Sequence, residues 1–269
     1  MSAIVELFSY DFFQKAFLAA VFASISCGII GSYIVSRRIV FISGGITHAS
    51  FGGIGLAFLV GFNPLLGAVL FAVGAALGIQ FFTKVAEIRE DSSIAIWWSL
   101  GMALGIIFVF LTPGYTPNLM SYLFGNILTV TSSELWWMFL LNVAIIAVFT
   151  FFFRNILYIA FDEEFARTAG LPVQLYNYLT ITLIALTVVL NIRVVGIILI
   201  LSLLTIPQAS ANLFTNDFKK LLILSSVFAF IGTISGLFIS YFLDIPSGAA
   251  IIFTLVIMFG ILRIGKTLV

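Results

Sequence analysis

One histidine occurs in this chain of 269 residues, and its setting makes it the first candidate for chemistry. His48 lies near the middle of residues 37–58, RRIVFISGGITHASFGGIGLAF, which open on Arg37 and Arg38 and then run apolar and glycine-rich for the length of a membrane helix. An ionisable side chain at bilayer depth costs roughly 2.5 kcal/mol or more when charged, so it is a functional candidate by default. A helix entered from the basic end at residue 39 carries His48 ~13 Å inward at ~1.5 Å per residue, close to the midplane of a ~30 Å hydrocarbon core. Gly44 and Gly52 fall one turn to either side of it, with Gly45, Phe51 and Gly55 alongside. Small residues at this spacing let another backbone come close, and Ser43 and Thr47 add hydroxyls within about a turn. Two readings stand side by side: a neutral imidazole hydrogen-bonded to a neighbouring helix, or one that meets a metal or substrate.

The other reactive side chains assemble little. A lone histidine does not make a strong metal site, since tetrahedral zinc takes four ligands, usually cysteine, histidine or carboxylate. Asp91, Glu134 and Asp244 fall near the ends of apolar runs, and Asp244 opens DIPSG at a helix junction where a gate or a simple cap fits. There is no HExxH, no CxxC and no serine–histidine–aspartate set, so an enzyme has no support. Residues 260–267, GILRIGKT, fit the phosphate-loop pattern G-x-x-x-x-G-K-T letter for letter. That motif needs a preceding strand and a following helix whose amides hold the phosphates. Here it closes an apolar helix, so the match is read as chance and no nucleotide cofactor is expected.

These residues sit in a chain built to cross a membrane. Hydrophobic residues make up 62% and charged residues 9%, and mean hydropathy is +1.24. No soluble core needs that much apolar surface. The single cysteine, Cys27, excludes an internal disulfide, and Glu6 and Asp11 ahead of the first apolar run are the wrong charge for a cleavable signal peptide. A net charge of +1 points to no nucleic-acid partner. The expected class is all-α: a single polytopic transmembrane domain over 1–269, of about eight to nine transmembrane helices plus a re-entrant segment. Apolar runs predict spans at 12–36, 39–60, 64–83, 92–111, 135–153, 175–192, 194–214, 221–243 and 246–262. Residues 112–131 are broken by Pro113, Gly114, Pro117 and Gly125 and are read as re-entrant or interfacial, because such breaks survive at depth only when covered by protein or lining a cavity.

With the N-terminus outside, the basic pairs Arg37/Arg38, Lys84/Arg89, Arg154/Arg167, Lys219/Lys220 and Arg263/Lys266 all fall in the cytoplasm, leaving Lys15 and Arg193 outside. The C-terminus is then cytoplasmic. The longest cytoplasmic break, 154–177, contains a short amphipathic helix over 162–169. Asp162, Glu163 and Glu164 sit at its positive end, and Gly170 followed by Pro172 stops it. Taken alone, this is either a solvated connector or a docking element.

Several segments together resemble the permease subunits of the ATP-binding-cassette importers for zinc, manganese and iron, over nearly the whole chain. Residues 37–58 are similar to that family's R-R-x-x-F-x-G-D-x-x-S-H-A segment, and SYLFGNIL at 121–128 to its S-Y-L-F-G motif. FDEEFARTAG at 161–170 resembles its cytoplasmic coupling segment, GIILILSLLTIPQASANL at 196–213 its late proline-alanine helix, and DIPSG at 244–248 a further landmark. The resemblance implies a multi-pass protein of the cell membrane, paired with a second copy of itself around a central pathway. It also implies two cytoplasmic ATPase subunits and an extracytoplasmic metal-binding protein as partners. No cofactor would be held permanently; the divalent metal would be transient cargo, met by His48 with Ser43, Thr47 and Asp91 as further oxygen donors. Asp162, Glu163, Glu164, Ala166, Arg167 and Gly170 would form the coupling element.

One departure bears on the cargo. Where the family carries aspartate one turn before the histidine, this chain has Gly44 followed by Gly45. Either the pathway holds metal weakly, which suits transit because passage needs release as well as binding, or the cargo has moved to another metal species. The first is favoured. Imidazole suits zinc and all-oxygen sites suit manganese, so the missing carboxylate leans toward zinc ahead of manganese or iron. The alternatives are a permease for a chelated-metal or organic substrate and, from another class, an ion-coupled secondary transporter titrating His48. The latter commonly carries internal repeats and buried acids, neither of which is evident here.

Overall fold

The computed structural model describes residues 7–113, 125 and 127–267, with Arg193 described through its backbone alone. Within them the chain is helical, with no strand. Eight helices are long and apolar enough to cross a membrane: α1 (Asp11–Ser36), α2 (Phe41–Val60), α3 (Pro64–Lys84), α4 (Glu90–Leu111), α5 (Ser132–Phe151), α8 (Val173–Val195), α11 (Phe218–Leu243) and α12 (Ser247–Thr267). Between them lie the short helices α6 (Phe153–Phe161), α7 (Glu163–Thr168), α9 (Ile197–Leu203) and α10 (Ile206–Ala211), and a 3-10 turn at Ile127–Thr129. The re-entrant segment expected over 112–131 lies mostly outside the described residues.

The chain divides into two compact units: residues 1–38, 120–151 and 191–269 form the first, and 39–119 and 152–190 the second. In the first unit α1 packs against α5 and α11, and α11 against α12. Buried polar side chains cross this bundle to backbone and to one another. Asn142 Nδ2 donates to the carbonyls of Phe22 and Met138, at 3.1 and 2.8 Å, and Ser32 Oγ bonds Ser225 Oγ at 3.0 Å. Thr131 and Glu134 form a capping box at the start of α5: the carboxylate accepts from the Thr131 amide at 2.8 Å, and the Glu134 amide donates to the Thr131 hydroxyl.

The ninth span expected over 194–214 is not one helix. Helix α8 continues through Arg193 to Val195, and the chain breaks at Gly196, whose φ of 80° and ψ of 164° suit glycine alone. The path then runs through two short apolar helices interrupted at Leu204 and Thr205, just ahead of Pro207. Proline supplies no backbone N–H and cannot continue a preceding turn, so the interruption is local chemistry. The buried Gln208 side chain compensates: its Nε2 donates to the Leu203 carbonyl at 3.1 Å and to the Cys27 carbonyl of α1 at 2.8 Å. A broken helix at depth requires such substitute partners.

In the second unit α2 is the central element, packed along both α3 and α4. It ends at Gly61 in the left-handed region (φ 83°); Asn63 then caps α3 by accepting from the Leu65 amide at 2.8 Å, with Pro64 starting the helix. The seams of α2 are made by glycines. A Cβ on Gly55 would stand 2.7 Å from the Gly105 carbonyl oxygen of α4, and one on Gly52 would stand 2.6 Å from the Phe71 ring of α3. Gly53 and Gly67 likewise meet backbone to backbone between α2 and α3. By contrast Gly74, on the exposed side of α3, has nothing within 4 Å of its would-be Cβ. Gly55→Leu is therefore expected to cost about 1–3 kcal/mol or more by overpacking, whereas Gly74→Ala is neutral or stabilising by up to about 1 kcal/mol through helix propensity. Thermal-shift melting of the detergent-solubilised protein separates the two; equal melting temperatures would show that the seam tolerates side chains.

Candidate functional site

His48 stands on the α4-facing side of α2, in a seam of small residues that fixes its surroundings. One turn below, Gly45 admits Ile94; one turn above, Ala49 and Gly52 meet Gly101; beyond them Gly55 meets Gly105. The partners on α4, Ile94, Gly101 and Gly105, bracket Trp98 at helical spacing. Trp98 accordingly lies on His48: the ring centroids are 4.2 Å apart and the planes 11° from parallel. Phe51, three residues on along α2, has its ring 6.3 Å from the imidazole and 20° from parallel. His48 is half-buried, and its Nδ1 is buried with no hydrogen-bond partner. The cross-helix hydrogen bond that one sequence reading expects at the imidazole is thus not made at that nitrogen. A lone pair or N–H is left with the desolvation cost of an unmade bond, about 1–3 kcal/mol, unless something else meets it.

The oxygen donors expected beside His48 are placed differently. Ser43 and Thr47 are fully buried, and each hydroxyl donates back to its own helix at 2.6 Å, to the Val40 and Ser43 carbonyls respectively. Their hydrogens are committed to the backbone, which is how hydroxyl side chains commonly settle within a helix. Asp91 lies at the start of α4, two turns and roughly 10 Å of helix rise from Trp98, and its carboxylate pairs with Arg89 at 2.8 Å and accepts from the Ser92 amide at 2.7 Å. It is a helix-start acid in solvent and does not join His48. Asp244 is the left-handed C-cap of α11 (φ 52°), beside an open cleft of about 680 Å³ lined also by Phe12, Tyr241 and Ser247. Among the described residues no three histidine, cysteine or acidic side chains gather as a metal cluster.

The segment with the acidic run is built as a stiff, two-ended element. Asp162 caps α7, its carboxylate accepting from the Phe165 amide at 2.8 Å. At the other end the Leu171 amide donates to the Ala166 carbonyl and the Gly170 amide to that of Arg167, both at 3.1 Å, around a left-handed Gly170 (φ 79°). This is a Schellman stop. Glu163 anchors the element sideways, pairing with Lys84 of α3 at 2.8 Å and Arg167 at 3.3 Å. Ala166 is fully buried in a cluster with Ile159, Val173 and Tyr176, so it fastens α7 to α6 and α8. Its neighbours Glu164, Arg167 and Phe165 are exposed, the last 51% exposed with its ring edge-on to Tyr158 at 5.5 Å. Sequence reasoning missed Phe165 and Trp98. An aromatic in so apolar a chain attracts no notice, and the contact partner of each is set by packing.

The phosphate-loop match also finds its place. Lys266 ends α12 and its ammonium donates to the Leu213 carbonyl beyond α10. The lysine is spent as a tie between the C-terminal helix and the turn after α10, with a helix before the glycine where a phosphate loop needs a strand.

Eight apolar spans with a histidine at depth define a polytopic α-helical protein of the cell membrane. Comparison with known proteins gives its class. The chain belongs to the ABC 3 transport family, whose profile matches residues 9–265; it is a permease-type subunit of an ABC transporter. It is 41% identical over 252 residues to an uncharacterised membrane protein of Synechocystis, covering 94% of this chain and 90% of that one. It is 36% identical over 255 residues to the manganese transport system membrane protein MntC of Listeria monocytogenes, covering 95% and 91%. Among solved structures, PsaBC from Streptococcus pneumoniae in complex with Fab superposes with a TM-score of 0.84 at 33% identity, covering 96% of this chain and 95% of that one.

Lys266→Ala should leave ATP turnover of the assembled transporter unchanged while lowering its melting temperature by a few degrees, consistent with a net hydrogen-bond contribution of about 1 kcal/mol. A strong loss of turnover with intact assembly would restore the phosphate-loop reading.

Proposed function

We propose that this protein is the permease of an ABC importer, carrying a divalent transition metal into the cytoplasm with the energy supplied by a separate ATPase subunit. The observation that carries the reading is the His48 Nδ1, buried midway along a membrane helix with no protein partner. An imidazole nitrogen left open at depth suits a cation that stays briefly and moves on. A single imidazole per chain holds such an ion weakly, so a second copy of the chain, offering a second His48, completes the pathway. An extracytoplasmic metal-binding protein delivers the ion. Manganese is placed ahead of zinc and iron: the lean toward zinc rests on one missing carboxylate, whereas a relative covering nearly the whole chain is named for manganese transport.

The orientation follows from charge. With the broken path α9–α10 counted as a ninth crossing between α8 and α11, the basic residues Lys84, Arg89, Arg154, Lys219 and Arg263 all fall at helix ends on one side, and placing these in the cytoplasm puts the N-terminus outside. On that topology the acidic face of α7 is cytoplasmic and seats in the ATPase, with Glu164, Phe165 and Arg167 as the contact surface and Ala166 as its anchor.

Three measurements test this. In proteoliposomes holding the full transporter, His48→Ala should lower Mn²⁺ uptake by at least roughly tenfold, the usual scale for loss of a group supporting a metal site; wild-type uptake would return His48 to packing. Glu164→Arg should leave the melting temperature of the permease within a few degrees of wild type but uncouple ATP turnover from uptake, whereas Ala166→Arg, which overfills a buried site, should lower stability itself by about 1–3 kcal/mol. Normal coupling in a well-folded Glu164→Arg protein would remove the contact role. For topology, Glu164→Cys should react with a membrane-impermeant maleimide only from the cytoplasmic side and Asp244→Cys only from outside. The native Cys27 is buried and gives little background. The reverse pattern would invert the orientation.

A further inference from the structure

Trp98 is the side chain most closely engaged with His48. Its neighbour Trp97 points another way, onto Gly78 and Phe82 of α3. The two tryptophans thus divide between the two seams of the helix trio, and only Trp98 reaches the imidazole. The stack is close: 4.2 Å between centroids, just under the ~4.5–7 Å range usual for aromatic pairs, at 11° from parallel. It is also held from both ends. Ile94 against Gly45 lies one turn before Trp98 and Gly101 against Ala49 one turn after, both at distances that leave no room for a larger residue. The imidazole, half-buried with one face against a Trp98 side chain that is itself 36% exposed, presents its nitrogen edge beside the stack. One of those nitrogens, Nδ1, is buried with no partner.

We propose that Trp98 is a positioning residue of the permeation pathway: its indole fixes the plane of the His48 imidazole and favours that ring when its nitrogen carries a metal ion. The physical reason is the charge on the imidazole. Two neutral rings face to face gain little beyond contact area, because their quadrupoles do not complement one another. When a nitrogen takes a divalent cation the ring becomes electron-poor, and the indole face then attracts it as it attracts any cation, tryptophan most strongly of the aromatics. The stack is therefore stronger with metal bound than without. In a chain whose helix has glycine where a carboxylate would sit, this supplies part of the missing attraction without a fixed negative charge that would slow release.

The inference rests on the proposed metal pathway, and the experiment keeps the two apart. Initial rates of Mn²⁺ uptake are measured in proteoliposomes of the full transporter for wild type, His48→Ala, Trp98→Phe and Trp98→Leu. Trp98→Leu should raise the KM for Mn²⁺ roughly five- to tenfold with little change in maximal rate, and Trp98→Phe, which keeps an aromatic face, should recover most of the affinity. A side chain that only packs would give no KM effect that follows aromatic character. Tryptophan emission supplies a second readout on the unaltered chain: Mn²⁺ should quench wild type in a saturable way, and that component should vanish in both Trp98→Phe and His48→Ala. Wild-type KM in Trp98→Leu, or saturable quenching that persists in His48→Ala, would overturn the role of Trp98 while leaving the pathway standing. Failure of wild type to take up Mn²⁺, Zn²⁺ or Fe²⁺ would overturn the pathway itself.

Discussion

The close approach of α2 to α3 and α4 is the constraint on which the second unit depends. In lipid there is no hydrophobic gain in bringing apolar helices together, so their association rests on dispersion contacts, which fall away within a fraction of an ångström. Glycine removes the one atom that would hold the backbones apart. Gly45, Gly52, Gly53 and Gly55 do this along α2, answered by Gly67 on α3 and Gly101 and Gly105 on α4. A short-distance seam results on each side of α2, and the larger side chains it admits are those for which it leaves space. His48 and Trp98 share one such space. Their stack is a consequence of the glycine spacing on both sides of it.

A second constraint acts wherever the chain leaves the helical path at depth: each freed backbone group needs a partner. The break between α9 and α10 shows the solution in one residue, with Gln208 Nε2 serving both the Leu203 carbonyl at the break and the Cys27 carbonyl across the bundle. Gly31 is part of the same arrangement, since a side chain there would occupy the space of the Gln208 amide. Outside the membrane the same accounting is met by ordinary caps. Asp162 and Gly170 close the two ends of a six-residue helix that would be unstable alone, and Ala166 and Glu163 fasten it to its surroundings. A short element with both ends satisfied and one side anchored is fixed to the helices that carry it.

The chain's organisation is read from residue order to the extent that each feature is local. Eight of the nine expected spans lie within about five residues of the observed helices, because twenty apolar residues between charges have one outcome in a bilayer. The helix expected over 175–192 runs on through Arg193 to Val195. The 194–214 span fails for a reason also present in the sequence, Gly196 and Pro207, whose combined effect depends on whether Gln208 has carbonyls to serve. The caps of α7 are legible in Asp162 and Gly170. The burial of Ala166 is not, because alanine reads alike on every face of a helix.

By itself, the sequence determined the class of protein, the membrane helices and the single imidazole at depth, all of which follow from composition and from which residue stands at which position along a helix. Only the tertiary structure decided what surrounds that imidazole. Ser43 and Thr47 bond their own backbone, Asp91 stays at a helix end with Arg89, and Trp98, about fifty positions away in sequence, supplies the nearest ring. The physical reason is that side-chain partners across helices are chosen by how closely two backbones can approach, and that distance is a property of both helices together.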